Sequence, residues 1–196
     1  NVAVGYDNID VAAASKLGIL VLNTPGVLDN TTADLGFALL LAAARRIPEA
    51  DRFVRSGQWT HWTFDLLLGT DLGGKTIGII GMGRIGQAMA RRAVAFGMKV
   101  VYFQRNRVPL SVEGELGGAR QMSLEELVKQ SDFISIHCPL TDATHHLLSE
   151  RQFAMMKPGF IVINTARGSI VDEEALIKAL TTGQIRSAGL DVFDYE

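Results

Sequence analysis

Thr76-Ile77-Gly78-Ile79-Ile80 is a short apolar run that stops at Gly81, and Gly81-Met82-Gly83-Arg84-Ile85-Gly86 then fits the spacing G-x-G-x-x-G. A strand that feeds a helix through glycines has few structural solutions. The turn must be tight, the backbone must be open to a ligand, and the helix must be long enough to bring the chain back to a parallel neighbour. Residues 84–96 carry a helical pattern stopped by Gly97, and residues 99–103 read as the returning strand, so one βαβ unit is complete. In a chain with 20 glycines the spacing alone is weak. Its position between a strand and a helix makes it informative, because amides at a helix start attract a diphosphate and missing side chains let it approach.

The rest of the chain repeats this alternation. Residues 18–23 read as a buried strand, followed by a Pro25-Gly26 turn and a long helix opening near residues 29–32, where short polar side chains can cap it. Residues 33–46 are apolar on most helical faces, which calls for burial on two sides and suits a neighbouring subunit. Pro48 marks a kink or a helix restart. Ser123-Leu124-Glu125-Glu126 and Ser149-Glu150-Arg151-Gln152 are capping boxes ahead of strands at 133–137 and 160–163. Asp172 caps a helix that Gly183 ends, and residues 187–192 supply a last strand. The expected fold is α/β, a Rossmann-type doubly wound parallel sheet with helices on both faces.

Composition removes several function classes. Nineteen Lys and Arg against 21 Asp and Glu give a formal charge of −2, which is not the footprint of a dedicated nucleic-acid binder. Mean hydropathy is +0.18, yet the longest apolar stretch, residues 35–44, falls far short of the ~20 residues of a membrane span. One cysteine, Cys138, excludes an internal disulfide and fits a reducing, cytoplasmic setting. The first residue is Asn1, without the basic opening of a signal peptide, and residues 191–196 follow directly on the last strand, so sequence beyond both ends is expected. Of the four histidines, His145 and His146 are adjacent and lack metal-ligand spacing, and His137 ends a strand as a core-edge residue; no metal site is expected.

Two positions beside the glycine turn carry chemistry. Where a carboxylate would select NAD by bonding the adenosine ribose, the chain has Gln104-Arg105-Asn106-Arg107; two guanidiniums without a carboxylate favour NADP while leaving NAD open. Asn164-Thr165-Ala166-Arg167-Gly168 follows an apolar strand directly, which puts Arg167 at a carboxyl end of the sheet, between a buried strand and a capped helix, and not in a surface ion pair. There a guanidinium can clamp a carboxylate and polarise a carbonyl.

Together with Val4-Gly5-Tyr6-Asp7-Asn8-Ile9-Asp10 and Gly189-Leu190-Asp191-Val192-Phe193, these motifs resemble the D-isomer-specific 2-hydroxyacid dehydrogenases. Within them Asn30-Thr31-Thr32-Ala33-Asp34, Arg45-Arg46-Ile47-Pro48-Glu49-Ala50 and Gly57-Gln58-Trp59-Thr60-His61-Trp62 are similar to glyoxylate/hydroxypyruvate reductases. The resemblance covers essentially all of residues 1–196 as one NAD(P)-binding domain. Residues 1–22 would adjoin a second, substrate domain of which only remnants are present. It implies an oxidoreductase moving a hydride between NADPH or NADH and a small 2-keto acid. Val4 and Gly5 amides would hold the substrate carboxylate, Arg167 would bind substrate and polarise its keto oxygen, and Glu196 would pair with a catalytic histidine further along. Gly81, Gly83, Arg84, Ile85 and Gly86 would take the pyrophosphate, and Gln104, Arg105 and Arg107 the adenosine ribose. Cys138, Pro139 and Thr144 would line the adenosine side, Ala166 the nicotinamide side, Asp191 the carboxamide, and Thr32 would also face the cofactor. A homodimer through the cofactor domain is implied, with Trp62 either reaching the partner's site or filling its own core. The rival class is a dinucleotide-sensing, corepressor-like module that recruits partners without turnover; Arg167 and Glu196 argue for the enzyme.

Overall fold

The computed structural model describes residues 1–194. Its β-branched runs form six parallel strands: β1 (Thr76–Ile80), β2 (Lys99–Phe103), β3 (Arg120–Gln121), β4 (Phe133–Ile136), β5 (Phe160–Asn164) and β6 (Ile185–Leu190). They pair in the order β3-β2-β1-β4-β5-β6. The helices are α1 (Val11–Lys16), α2 (Asp29–Ala44), α3 (Ile47–Arg55), α4 (Arg84–Ala95), α5 (Leu110–Glu115), α6 (Leu124–Gln130), α7 (Glu150–Met155) and α8 (Glu173–Thr181). This is the doubly wound, Rossmann-type sheet that the alternation predicts.

Strand periodicity divides the core in two. On one face Ile77 and Ile79 of β1 and Ile161 and Ile163 of β5 pack beneath Phe37 and Leu40 of α2 and Met89 and Ala93 of α4. On the other face Ile80, Ile134, Ile136 and Val162 meet Leu127 of α6, Phe153 of α7 and Leu176 of α8. Both faces are therefore covered, as a parallel sheet requires. Each fully buried aliphatic or aromatic side chain contributes about 1.5–3 kcal/mol of transfer free energy, offset in large part by the entropy of ordering the chain.

Most helix starts follow the local chemistry of the sequence. Ser123 Oγ accepts the Glu126 amide at 3.2 Å while Glu126 Oε2 accepts the Ser123 amide at 3.0 Å. Asp172 Oδ1 accepts the Ala175 amide at 3.0 Å. Arg46 adopts a left-handed conformation with φ 56°, and a new helix restarts with Pro48 in its first turn. Helix α2 departs from expectation, since its cap is Leu28 and no side chain caps it. Asp29 to Thr32 are already helical, and the Thr32 amide is taken by the Leu28 carbonyl.

Residues 18–23 are the clearest correction. They form no strand of the sheet, and Ile19, Leu20 and Leu22 are 57, 79 and 65% exposed. Their backbone bonds are local or run to the first residue: the Gly18 and Ile19 amides donate to the Ser15 and Ala14 carbonyls at 3.1 and 2.9 Å, the Leu22 carbonyl accepts the Asn1 amine at 2.8 Å, and just beyond them the Thr24 amide donates to the Ala3 carbonyl at 3.0 Å. An apolar run shows that a segment favours burial but not which surface covers it. The last strand also starts two residues earlier than residues 187–192, at Ile185, and the elements α1, α5 and β3 had no periodic signature.

Candidate active site

The chain leaves the sheet in opposite senses on either side of the β1–β4 boundary, and crevices at such a reversal are where open α/β sheets hold ligands. The turns after β1, β4 and β5 converge there. A cavity of about 480 Å³ opens among them, lined by Val4, Gly5, Asp7, Ile85, Cys138 and Arg167, together with Pro139, Thr165 and Ala166. Arg167, expected to anchor substrate, therefore shares one cleft with Ala166, expected on the nicotinamide side, and with Cys138 and Pro139, expected on the adenosine side.

Arg167 stands just beyond β5, in extended backbone before a 3-10 turn over Gly168–Ile170. Contrary to expectation it is in an ion pair. Its Nε and Nη2 donate to Asp7 at 3.0 and 2.9 Å, and its Nη1 donates to the Ala166 carbonyl at 2.7 Å. The guanidinium holds the Asp7 carboxyl below its ordinary range, chiefly through the side-chain hydrogen bond. Both side chains keep roughly a third of their surface open, 37 and 35%. Gly5 is required by this arrangement, since a Cβ there would overlap Nη2 of Arg167 and come within 2.9 Å of Asp7 Oδ1. Among the described residues the Val4 and Gly5 amides donate to nothing, so both are available to a carboxylate.

His137 lies beside this cleft but is not equipped for proton transfer. Its Nε2 bonds Ser135 Oγ at 2.8 Å, and burial pushes its pKa down to about 4. Cys138 is pushed up to about 11 by burial, so at neutral pH its thiol forms part of the wall and is not a nucleophile. His145 and His146 are exposed and stacked on one another, ring centres 4.0 Å apart.

Residues 37–196 match the family model described as "D-isomer specific 2-hydroxyacid dehydrogenase, NAD binding domain". The chain belongs to this family. It is 58% identical to a glyoxylate reductase of Thermococcus litoralis over 99% of this chain and 59% of that protein. Among solved structures it is similar to the TT0316 protein from Thermus thermophilus (52% identity, TM-score 0.92, 99% of this chain and 60% of that one). It is also similar to a glyoxylate reductase from Paecilomyes thermophila (44% identity, TM-score 0.90, 99% and 57%). The chain thus spans about 59% of the length of the curated relative.

Dehydrogenases of this family bind NAD(P), and the glycine turn has the shape the diphosphate needs. Gly81 has φ 93°, and a Cβ there would press to 2.7 Å on the Cys138 amide nitrogen, so only glycine serves. Gly83 begins α4 with no side-chain cap, and a Cβ on it would meet nothing within 4 Å. Bare backbone and uncapped amides facing open space are the required cradle. Gly86 lets α4 sit on the turn, where a Cβ would overlap the Gly81 carbonyl. Arg84 brings its Nη1 beside Gly26, where a Cβ would come within 2.8 Å of it, and Ile85 lines the cavity. Thr165 Oγ1 is buried nearby with no hydrogen-bond partner among the described residues, an orphaned polar atom beside Ala166.

At the end of β2 the two arginines prove different. Arg107 is not free: its Nε and Nη2 donate to Glu113 at 2.9 and 2.7 Å, and Tyr102 adds a hydroxyl at 2.7 Å. These donors lower the Glu113 pKa to about 2. Arg105 is exposed and makes no ion pair or hydrogen bond among the described residues. Gln104 is spent locally, its Nε2 on the Asn106 carbonyl at 2.9 Å. Thr144 Oγ1 closes its own loop on the Pro139 carbonyl at 2.7 Å, Thr32 is half-buried in the first turn of α2, and Asp191 is exposed with its amide on the Asn164 carbonyl at 3.0 Å. Trp62 is 75% exposed, so it does not fill the core of its own subunit. Glu196 lies outside the described residues. Sequence reasoning missed Asp7 and Glu113 as partners of the arginines. The motif carrying Asp7 was in view; nothing marked Glu113.

Proposed function

We propose that this chain forms the cofactor half of an oxidoreductase that reduces a small 2-keto acid to the D-2-hydroxy acid, with glyoxylate or hydroxypyruvate as substrate and NADPH favoured over NADH. The observation that carries the reading is the placement of the Arg167 guanidinium in one cleft with the unpaired Val4 and Gly5 amides and Ile85 of the glycine-turn helix. When bound, the dinucleotide supplies hydride to the keto carbon. The protein's residues do the rest. Val4 and Gly5 fix the substrate carboxylate, and Arg167 donates to the keto oxygen as negative charge develops on it. His137 stays neutral down to about pH 4 and bound to Ser135, so proton donation falls to a histidine of the complete protein, paired with Glu196.

Residues 1–22 in this reading border a substrate domain, which fits the exposed apolar surface of Ile19, Leu20 and Leu22. NADPH preference is supported by the absence of a carboxylate at 104–107 and by the unpaired Arg105. A homodimer built on α2 and residues 59–68 is supported by exposed Trp59, Trp62, Phe64 and Leu68. No helix among the described residues is long and apolar enough to cross a membrane, and a cytoplasmic location fits the single cysteine.

The test is reduction of glyoxylate, hydroxypyruvate and pyruvate by the full-length protein, followed by loss of NADPH or NADH absorbance. Turnover of a 2-keto acid, abolished by Arg167→Ala, is the expected result. Turnover that survives Arg167→Ala, or cofactor binding with no turnover of any keto acid, would overturn it.

A further inference from the structure

The YDNID stretch holds two aspartates with separate duties. Asp10 is local: its Oδ1 accepts the Ala13 amide at 2.8 Å and caps α1. Asp7 reaches across 160 positions of sequence to Arg167. A guanidinium has five N–H donors in a fixed plane. Asp7 takes one edge of that plane, through Nε at 3.0 Å and Nη2 at 2.9 Å, and the Ala166 carbonyl takes one hydrogen of Nη1 at 2.7 Å. One N–H on each terminal nitrogen is left over. The group is therefore held on one edge by a carboxylate and on its far corner by its own backbone, and a donor from each Nη remains for the cavity.

We infer that Asp7 is a positioning residue for Arg167, clamping the guanidinium side-on so that its remaining two donors meet the substrate. The inference rests on the function proposed above, and deepens it by assigning what orients the cation. Three observations fit it. Both residues line the same cavity as the Val4 and Gly5 amides. The pair lies against the bare Gly5 backbone, in space that a Cβ would take from Nη2, so the glycine makes room for this side-on placement. The clamp also ties the leading segment to the end of β5, so whatever moves residues 1–10 relative to the sheet moves the cation's orientation with it. A long, flexible arginine released from one edge would sample many orientations, and small misplacements of a catalytic group cost rate steeply.

The experiment uses the full-length protein and the variants Asp7→Ala, Asp7→Asn and Asp7→Glu. Asp7→Ala is expected to lower kcat/KM for the keto acid by about 10- to 100-fold, with the KM of NADPH within about 2-fold of wild type. Asp7→Glu, which keeps the carboxylate, is expected to recover most of the loss, and Asp7→Asn little of it. A second readout does not depend on activity: 15N relaxation of the Arg167 Nε–H should report an ordered group in the wild type and a mobile one in Asp7→Asn. If Asp7→Ala or Asp7→Asn instead lowers the keto-acid KM, Asp7 competes with substrate and the inference is wrong. Equal losses for cofactor and substrate with a lowered Tm would reduce Asp7 to a structural contact and overturn it as well. Should the wild type turn over no keto acid, the functional reading fails, and the Nε–H measurement alone still decides whether Asp7 orders Arg167.

Discussion

Replacing Arg105 and Arg107 one at a time separates a charge that can meet a ligand from one already committed inside the protein. Arg105 is exposed and unpaired among the described residues, so Arg105→Ala removes donors without disturbing the fold. A charge-assisted hydrogen bond to a 2′-phosphate contributes about 1.5–3 kcal/mol, which converts to a rise of about 10- to 150-fold in the KM for NADPH. NADH lacks that phosphate and should change by less than about 2-fold. Arg107→Ala works differently. Glu113 is only 5% exposed and relies on Arg107 for two of its three donors, so the variant leaves a buried carboxylate with the Tyr102 hydroxyl alone. Its expected signature is a lower Tm and similar losses with both cofactors. The double variant Arg107→Ala/Glu113→Gln should regain Tm, because the orphaned charge is gone. Steady-state kinetics of the full-length protein with each cofactor, beside thermal unfolding of each variant, give the comparison. If Arg107→Ala selectively impaired NADPH at unchanged Tm while Arg105→Ala had no effect, the division of labour drawn from the Glu113 pair would be refuted.

Further outcomes concern packing, pH and assembly. Leu40, with no exposed surface between α2 and the sheet, should cost about 2–5 kcal/mol when changed to Ala, read as a lower denaturant midpoint; a loss below about 0.5 kcal/mol would contradict the burial. His137 is held neutral down to about pH 4 against an ordinary 6.5, so the unfolded chain takes up its proton first as pH falls. Stability should be flat above pH 6.5 in this respect and decline from 6.5 toward 4, and His137→Gln should flatten that window; an unchanged profile would rule out the buried neutral imidazole. Glu113, lowered from 4.5 to about 2, adds a separate loss of stability only below pH 4.5, which Glu113→Gln should remove. Trp62→Ala in the full-length protein should weaken self-association in sedimentation velocity, and a wild type that sediments as a monomer at micromolar concentration would sink the dimer.

What could be read from the sequence was whatever a few neighbouring residues decide among themselves. Strand β1, the glycine turn, α4 and the two capping boxes are local devices, each fixed by side chains three or four positions apart, and all were found within a residue or so of their expected bounds. The placement of Gly81 and Arg167 at carboxyl ends of strands followed too, because a strand followed by a helix admits only one side for the turn. The readings that failed needed information from elsewhere in the chain. Residues 18–23 have a strand's composition, but the backbone partners they have are Ala14, Ser15 and the Asn1 amine, and no local pattern distinguishes that from a place in the sheet. Helix α5 and the two-residue β3 lie in a stretch broken by Gly114, Gly117 and Gly118, where periodicity cannot build up. The arginines show the same limit within the site itself. Sequence placed Arg107 at the adenosine ribose and Arg167 at the substrate, and marked an acidic partner for neither. Each has one: Glu113, six positions from Arg107, and Asp7, 160 positions from Arg167. A carboxylate that takes one edge of a guanidinium offsets its charge and fixes its direction together. The chemistry a given arginine can perform is therefore set by which acid the fold brings beside it, and that acid need not lie in the motif that carries the arginine.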